Sequence, residues 1–529
     1  SALAQQFDQI IALLHQKLNV KGWLQQEQFN GKSYIVLHLE DGAISFEKEI
    51  MELLDMKCDE SIQPHYITWH GEENLRLEKA NLEDIKSIWT ERIDNDLDVF
   101  SKAILSLGVI ERLPVSPTQR YHLQHSDISG TIIPLEKHMN MEYVEEAIRQ
   151  IIREQDLMRS TLCEENGELQ WQVREAPDHL PVPLVDISMY DEDTQQVILN
   201  NIVWPYFYRQ HELSNSLLYR ILIVKKNLKD YMLILPFSHS IFDFMSSEII
   251  KHQFNTYYEC VRAGKETPKG SRNRYSDFTA HIMEGPQGVD DLELVTTYNL
   301  DKFDRAIGRI TDFVSQKAVL EGHTTVIWDL KSSERAIHLD NTSHWEIAFF
   351  TFTAFCKMYF ELSQVPIWVT QYGRSFGEKR YYDVIGEFVD HIPILTNLDQ
   401  NLVSLEQQVR QSVQWAAEHN ISFANLMYNP DVQNDYPLSG GYLQQALDRM
   451  PIVFNFLGEL RSEHQLLQTV DLGNVNVEGR TRILCEVWHD SESNLFVALT
   501  LPFSEDESIV RNHLQSALEQ LERRWATVL

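Results

Sequence analysis

The sequence predicts an α+β protein of two lobes preceded by a small α/β N-terminal region. Three observations predict it. The chain has 529 residues, room for two to four packed units at about 150 residues per domain. Helical stripes alternate irregularly with short β runs, unlike a regular βαβ series. Breaks fall at Leu113-Pro114-Val115-Ser116-Pro117, where two prolines interrupt the pattern, and at the basic, Gly- and Pro-bearing loop Lys265 to Arg274. The expected segments are residues 1–108 as an accessory, docking-like region, 109–275 as a first lobe and 276–529 as a second.

Taken in order, Leu3, Phe7, Ile10, Ile11, Leu14 and Leu18 form one apolar stripe at helical spacing. Extended segments around Trp23–Leu24 and Tyr34–Leu39 flank Asn30-Gly31, a hairpin signal because both residues tolerate positive φ. Phe46, Ile50, Leu53 and Leu54 mark a second helix. Asn81 is an N-cap for a third, with Ile85, Ile88, Trp89, Ile93 and Leu97 on one side. Beyond the proline pair, Met141 to Met158 reads as helix. Tyr219 to Val224 and Tyr231 to Phe237 read as a hairpin across the polar turn Asn227 to Asp230, the second strand apolar on both faces and therefore buried. Met245, Ile249, Ile250, Phe254 and Tyr257 predict a helix ending near Gly264. Val510, Leu514, Leu518, Leu521 and Trp525 predict the closing helix.

Composition bounds the function. Hydrophobic residues make up 43% and charged residues 23% of the chain, which is globular rather than disordered. Lys and Arg total 46 against 78 Asp and Glu, a net charge of −32. A polyanion would be repelled, so nucleic-acid binding is not expected. Five cysteines without CxxC spacing argue against a disulfide framework or a thiolate metal site. Neither a basic-then-apolar leader nor an apolar run long enough to cross a bilayer is apparent. The expectation is a soluble cytoplasmic protein that makes no membrane contact.

The chemistry-bearing segment is Phe237-Ser238-His239-Ser240-Ile241-Phe242-Asp243-Phe244. A histidine leaves the end of a buried strand, and an aspartate follows four positions later where a helix begins. Imidazole titrates near neutral pH, so His239 can accept a proton or hydrogen-bond a tetrahedral species. A buried, satisfied histidine would show the same spacing. Ser238 and Ser240 suggest a serine hydrolase, but strand neighbours project to opposite faces and no G-x-S-x-G elbow surrounds either. HExxH, Walker-type and Rossmann patterns are missing.

Further motifs give the segment its context. From about Arg112 onward the chain resembles the condensation domains of nonribosomal peptide synthetases, members of the chloramphenicol-acetyltransferase-like superfamily. Leu113-Pro114-Val115-Ser116-Pro117-Thr118-Gln119 is similar to the opening motif. Glu154 to Ser160 is similar to Arg-His-Glu-x-Leu-Arg-Thr, with only the later arginine kept. Ser238 to Phe244 stands in the place of His-His-x-x-x-Asp-Gly. Tyr275-Ser276-Asp277-Phe278, Tyr372-Gly373-Arg374 and Ile385-Gly386-Glu387-Phe388-Val389-Asp390 are similar to the later motifs.

This resemblance implies two chloramphenicol-acetyltransferase-like lobes in a V around a tunnel, served by upstream donor and downstream acceptor carrier proteins bearing phosphopantetheine. Adjacent synthetase domains are the other implied partners. No metal or cofactor would be bound by the domain itself. His239 would be catalytic. Asp243 would be structural, paired with Arg374 or, as a second candidate, Arg159. Ser238, Ser240 and Phe244 would lie on the acceptor side. Ser238 replaces a histidine, Phe244 replaces glycine, and Asp390 replaces asparagine. An active condensation domain with an unusual amine or hydroxyl acceptor, a catalytically silent carrier-binding platform and a stand-alone acyltransferase are therefore the readings to separate.

Met450 to Gly458 resembles a segment of the sister epimerization domains. Its plainer reading, a buried β run ending in a turn at Gly458, is preferred. Arg262, Lys265, Lys269, Arg272 and Arg274 form a basic cluster suited to an acidic carrier or its phosphate, or simply to solvent. The N-terminal α-β-β-α order resembles the small docking domains that open some synthetase subunits; a structural linker or part of a preceding catalytic module is an equal reading.

Overall fold

The computed structural model describes residues 2–40, 42–69, 74–125, 128–270, 273–317, 322–329, 343–376, 379–398, 402–448, 452–459 and 482–526. The chain divides into two compact units. The first comprises Ser1–Leu113, Ser126–Phe242 and Ser246–Ser271, and the second Pro114–His125, Asp243–Met245 and Arg272–Leu529.

The first unit begins with helix Ala2–Leu18. Its Phe7, Ile10 and Leu14 pack with Leu24, Leu37, Ile50 and Leu54 in a small core. Strands Gly22–Phe29 and Lys32–Leu39 pair in register from Phe29↔Lys32 outward. Asn30 and Gly31 sit between them at φ 49° and 77°, the two-residue turn that their chemistry favours. Helix Glu47–Lys57 follows, but Phe46 belongs to the preceding 3-10 turn and is exposed. A third strand, Tyr66–Trp69, pairs in parallel with Lys32–Leu39. With four residues it is too short to show a periodicity.

Asn81 caps helix Leu82–Leu105 by accepting from the Asp84 N–H. Ile85, Trp89 and Ile93 bury against Val185, Ile187, Ile198 and Ile202. Ile88 lies off that stripe and is 57% exposed, a correction to the helical face read from spacing.

The body of the unit is a four-stranded sheet in the order Ile128–Leu135, Asp230–Ser238, Leu222–Asn227, Leu184–Asp186. The first strand of the expected hairpin starts at Leu222 rather than Tyr219 and runs on to Asn227, which pairs with Asp230. Asn227 thereby confines the turn to Leu228-Lys229 and accepts from the Lys229 N–H at 2.8 Å. The expected helix from Met141 ends at Glu154, and Asp156–Arg159 is a separate 3-10 turn. Helix Phe244–Arg262 covers the apolar positions read from the sequence. Gly264 then takes φ 63° while the Lys265 N–H bonds back to the Cys260 carbonyl, a glycine C-cap.

The second unit is built on a six-stranded sheet in the order Thr324–Asp329, Leu495–Leu501, Ile483–His489, Ile452–Glu459, Val365–Gln371, Asp390–Thr396. Strand Ile452–Glu459 runs parallel to both its neighbours, and the other pairs are antiparallel. Its largest core draws Phe303 and Ile307, Phe349 and Phe352, and Val510, Leu514, Leu518 and Leu521 from three helices. Trp525 lacks a described side chain. A separate, smaller cluster has Leu457 and Trp488 buried, with Phe244, Tyr372, Phe496 and Ala498 packed on them. Gly458 does not end the strand. At φ 76° it forms a bulge, and pairing continues to Glu459. Met450 and Pro451 lie outside the described residues.

All five cysteines are free thiols. Among the described residues no helix is long and apolar enough to cross a membrane.

Candidate functional site

Within the first unit, strand Asp230–Ser238 is buried from Leu233 to its end. It delivers the chain into a 3-10 turn, His239–Ile241. Ser238 caps that turn, accepting from the Ser240 N–H at 3.3 Å. The Ser238 and Ser240 hydroxyls lie 2.8 Å apart, both buried. They satisfy each other, which is the business of a cap rather than of a nucleophile. The loop is pinned from behind by Phe242, stacked on Phe237 with ring centroids 3.5 Å apart. His239 is half-buried between two buried serines. Arg159 is held by Asp156 at 2.6 Å and donates to the Arg174 carbonyl at 2.6 Å, so it anchors its own 3-10 turn.

Within the second unit, Asp243 and Arg374 form a buried ion pair. Arg374 Nη2 lies 2.5 Å from Asp243 Oδ1, with side chains 3% and 0% exposed. The guanidinium also donates to the Tyr381 carbonyl at 3.0 Å and to the Val384 carbonyl, and stands 4.3 Å over the Phe388 ring. The second aspartate oxygen accepts from the Phe388 N–H at 3.4 Å. A buried pair persists when further hydrogen bonds accompany it, as the two backbone carbonyls and the Phe388 N–H do here.

The sequence motifs meet around this pair. Gly373 adopts φ 55°, and a Cβ there would lie 2.2 Å from the Phe388 carbonyl oxygen. At Gly386 a Cβ would fall 2.3 Å from the Tyr275 ring. Tyr275 donates its O–H to the Glu387 carbonyl at 2.7 Å. Ser116 and Gln119 cap helix Pro117–His125 reciprocally: Ser116 N–H to the Gln119 side chain at 2.9 Å, Gln119 N–H to Ser116 Oγ at 3.2 Å. That is the capping box written in Ser-Pro-Thr-Gln.

Asp390 accepts from the N–H groups of His391, Phe423 and Ala424 at 2.8, 2.8 and 3.0 Å, capping helix Phe423–Tyr428. Desolvation raises its pKa to about 6 against the opposing pull of these hydrogen bonds. Its neighbour His391 is pushed down to about 3 by desolvation, reinforced by the charges of Arg482 and His122.

Two members of this unit escaped the sequence reading. Glu387, the unspecified residue of its motif, is 1% exposed and accepts from the Val389 N–H at 2.8 Å. His122 Nε2 stands 3.9 Å from its carboxylate. Neither position carries a fixed residue type in the motif, so nothing flagged them. Phe244 is half-buried against Leu457 and Trp488, its ring 6.3 Å from that of Tyr372.

In the basic cluster, Arg262 is engaged by Glu259 at 2.7 Å and Asp55 at 3.9 Å. The Arg274 N–H donates to the Asp277 carboxylate at 2.9 Å. Lys265 and Lys269 are exposed, and Arg272 lies outside the described residues.

An imidazole at a strand end and an arginine-locked aspartate four residues on define an HxxxD protein on a mixed α+β fold. The model of the Condensation domain family matches residues 109–440: the chain belongs to the condensation-domain family. It is 22% identical over 197 residues to surfactin synthase subunit 2 of Bacillus subtilis (strain 168), a match covering 36% of this chain and 5% of that protein. Among solved structures it resembles the epimerization domain of the third module of tyrocidine synthetase B, with TM-score 0.53, 14% identity, and coverage of 79% of this chain and 98% of that one. The starter condensation domain of rhizomide synthetase matches with TM-score 0.53 and 12% identity, covering 78% and 97%. The X-domain from teicoplanin biosynthesis matches with TM-score 0.51 and 14% identity, covering 78% and 96%. At these identities the likenesses establish the chloramphenicol-acetyltransferase-like fold and do not choose among those activities.

Proposed function

We propose that this chain joins a carrier-tethered acyl or peptidyl thioester to an amine on a downstream carrier, as the amide-forming domain of a modular nonribosomal peptide or hybrid peptide–polyketide synthetase. The amine lone pair attacks the thioester carbonyl carbon, the C–N bond forms and the C–S bond breaks. The ammonium proton passes to the His239 imidazole and from it to the leaving thiolate, so one amide and one thiol replace one thioester and one amine. The thioester arrives activated, so positioning supplies much of the acceleration and the chemistry calls for no metal or nucleotide of its own. Donor and acceptor carriers and neighbouring synthetase domains, in the cytoplasm, are the partners this reading requires.

The observation that carries it is the division of labour in the loop. Asp243 is paired with Arg374, while His239, half-buried at the strand end, brings to the loop an imidazole, the side-chain type that most often serves as general acid and base. The test mixes the protein with an acyl-loaded carrier and an amine acceptor. Amide product from wild type, lost in His239→Ala, is expected. Equal behaviour of the two would remove the enzyme reading. A silent carrier-binding platform is the second reading, favoured by Ser238 and Phe244, and carrier binding without turnover would establish it.

A further inference from the structure

The middle strand of the N-terminal sheet, Lys32–Leu39, is buried from Tyr34 to its end, so both faces of that sheet are covered. Ile35, Leu37 and Leu39 pack with Phe7, Leu14 and Ile50 of the two flanking helices. Strand alternation turns Tyr34, Val36 and His38 the other way. On that second face Tyr34, Val36 and Tyr66 are buried and cluster with Phe29, Leu75 and Leu77. A three-stranded sheet with helices on one side only would leave this face wet if the region stood alone.

The body of the first unit meets the second face. The Tyr34 hydroxyl donates to Glu192, which also takes Lys32 at 2.9 Å. The Tyr66 hydroxyl meets the side chains of Asn227 and Gln195. His65 is tied to the middle strand, its N–H donating to the Ile35 carbonyl at 2.7 Å and its Nδ1 accepting from the Ile35 N–H at 3.0 Å. Its own carbonyl accepts from the Leu228 N–H at 2.9 Å, and Leu228 lies in the turn of the Leu222–Ser238 hairpin. Glu78 then donates its N–H to the Met189 carbonyl and accepts from the Asp191 N–H, both at 2.9 Å. On the helix side, Lys48 pairs with Glu142 at 2.7 Å. Parting the two would strip partners from polar groups on each.

We infer that the N-terminal region is an obligatory part of the first unit, its second sheet face spent on the Leu222–Ser238 hairpin and its neighbours, and not a free-standing docking module for an upstream chain. The test is native-state hydrogen exchange of the intact protein in rising denaturant, read by mass spectrometry. Amides of Tyr34–Leu39 and of Tyr231–Leu235 should lose protection together, at the same denaturant concentration. Tyr34→Phe, which removes only the hydroxyl that reaches Glu192, should speed exchange of both segments by one common factor of roughly fivefold or more. Strands 34–39 opening at lower denaturant while 231–235 stay protected would mark an independent module and overturn the inference. A Tyr34→Phe effect confined to the N-terminal strands, or no effect in either segment, would overturn it as well.

Discussion

The two ends of one short loop are held by different physics. At the His239 end, in the first unit, a serine–serine hydrogen bond, a capped 3-10 turn and two stacked phenylalanines shape the turn. At the Asp243 end, in the second unit, the restraint is ionic and almost wholly buried. The difference separates roles. A group that only holds shape is well held by a buried countercharge, and Asp243 is such a group.

The sharpest way to break this contrast is to remove each end in turn. His239→Ala should reduce amide formation by about 10²–10⁴-fold, the usual share of a positioned acid–base group, with little change in melting temperature. Arg374→Ala should act the other way round, costing about 3–5 kcal/mol of stability because the Asp243 charge stays buried and unpaired. The double variant Asp243→Ala/Arg374→Ala should be less destabilised than the sum of the single losses, a coupling read from a thermal or denaturant double-mutant cycle. If His239→Ala proves the more destabilising of the two, the assignment of roles is reversed.

A second contrast lies within the second unit, between neighbours that titrate in opposite senses. His391 is held neutral with its pKa near 3, so its contribution is complete above about pH 6.5 and is lost as pH falls toward 3. Asp390, raised to about 6, contributes most below its unfolded value near 4 and loses that contribution as pH rises through 6. Each slope is at most about 1.4 kcal/mol per pH unit, and between pH 4 and 6 they oppose. Stability should therefore rise more steeply with pH in Asp390→Asn than in wild type, and fall with pH over that range in His391→Gln. Chemical denaturation at pH 4, 5 and 6 checks both. Parallel curves for all three proteins would refute the opposition.

What the sequence disclosed, and what it hid, follows the same physics. Gly373, Gly386, Ser116 and Gln119 were legible only as members of motifs that resemble the family's, and the backbone demands they meet emerged with the structure. The Asp243–Arg374 pair was expected from the resemblance, since a motif aspartate and a motif arginine are the natural counter-ions. Glu387 and His122 were hidden because side chains from separate elements create their setting and no local spacing records it. Gly458 misled for a related reason. Positive φ serves turns and bulges alike, and only the parallel pairing partner decides between them. Tyr66–Trp69 was too brief to announce itself, and its strand exists because Lys32–Leu39 offers it an edge.

The smallest expected effect concerns the serines. The Ser238 side chain accepts from the Ser240 N–H and also shares a hydrogen bond with the Ser240 hydroxyl, whereas the Ser240 side chain takes part only in the second. Ser238→Ala strands a buried N–H and should cost about 1–3 kcal/mol, while Ser240→Ala leaves the cap in place and should cost about 1 kcal/mol or less. Neither should change amide formation by more than a few-fold beyond what loss of folded protein explains. A thousandfold loss of turnover in a fully folded Ser240→Ala would mean that the serine end of the loop houses a nucleophile, and the division drawn between its two ends would no longer hold.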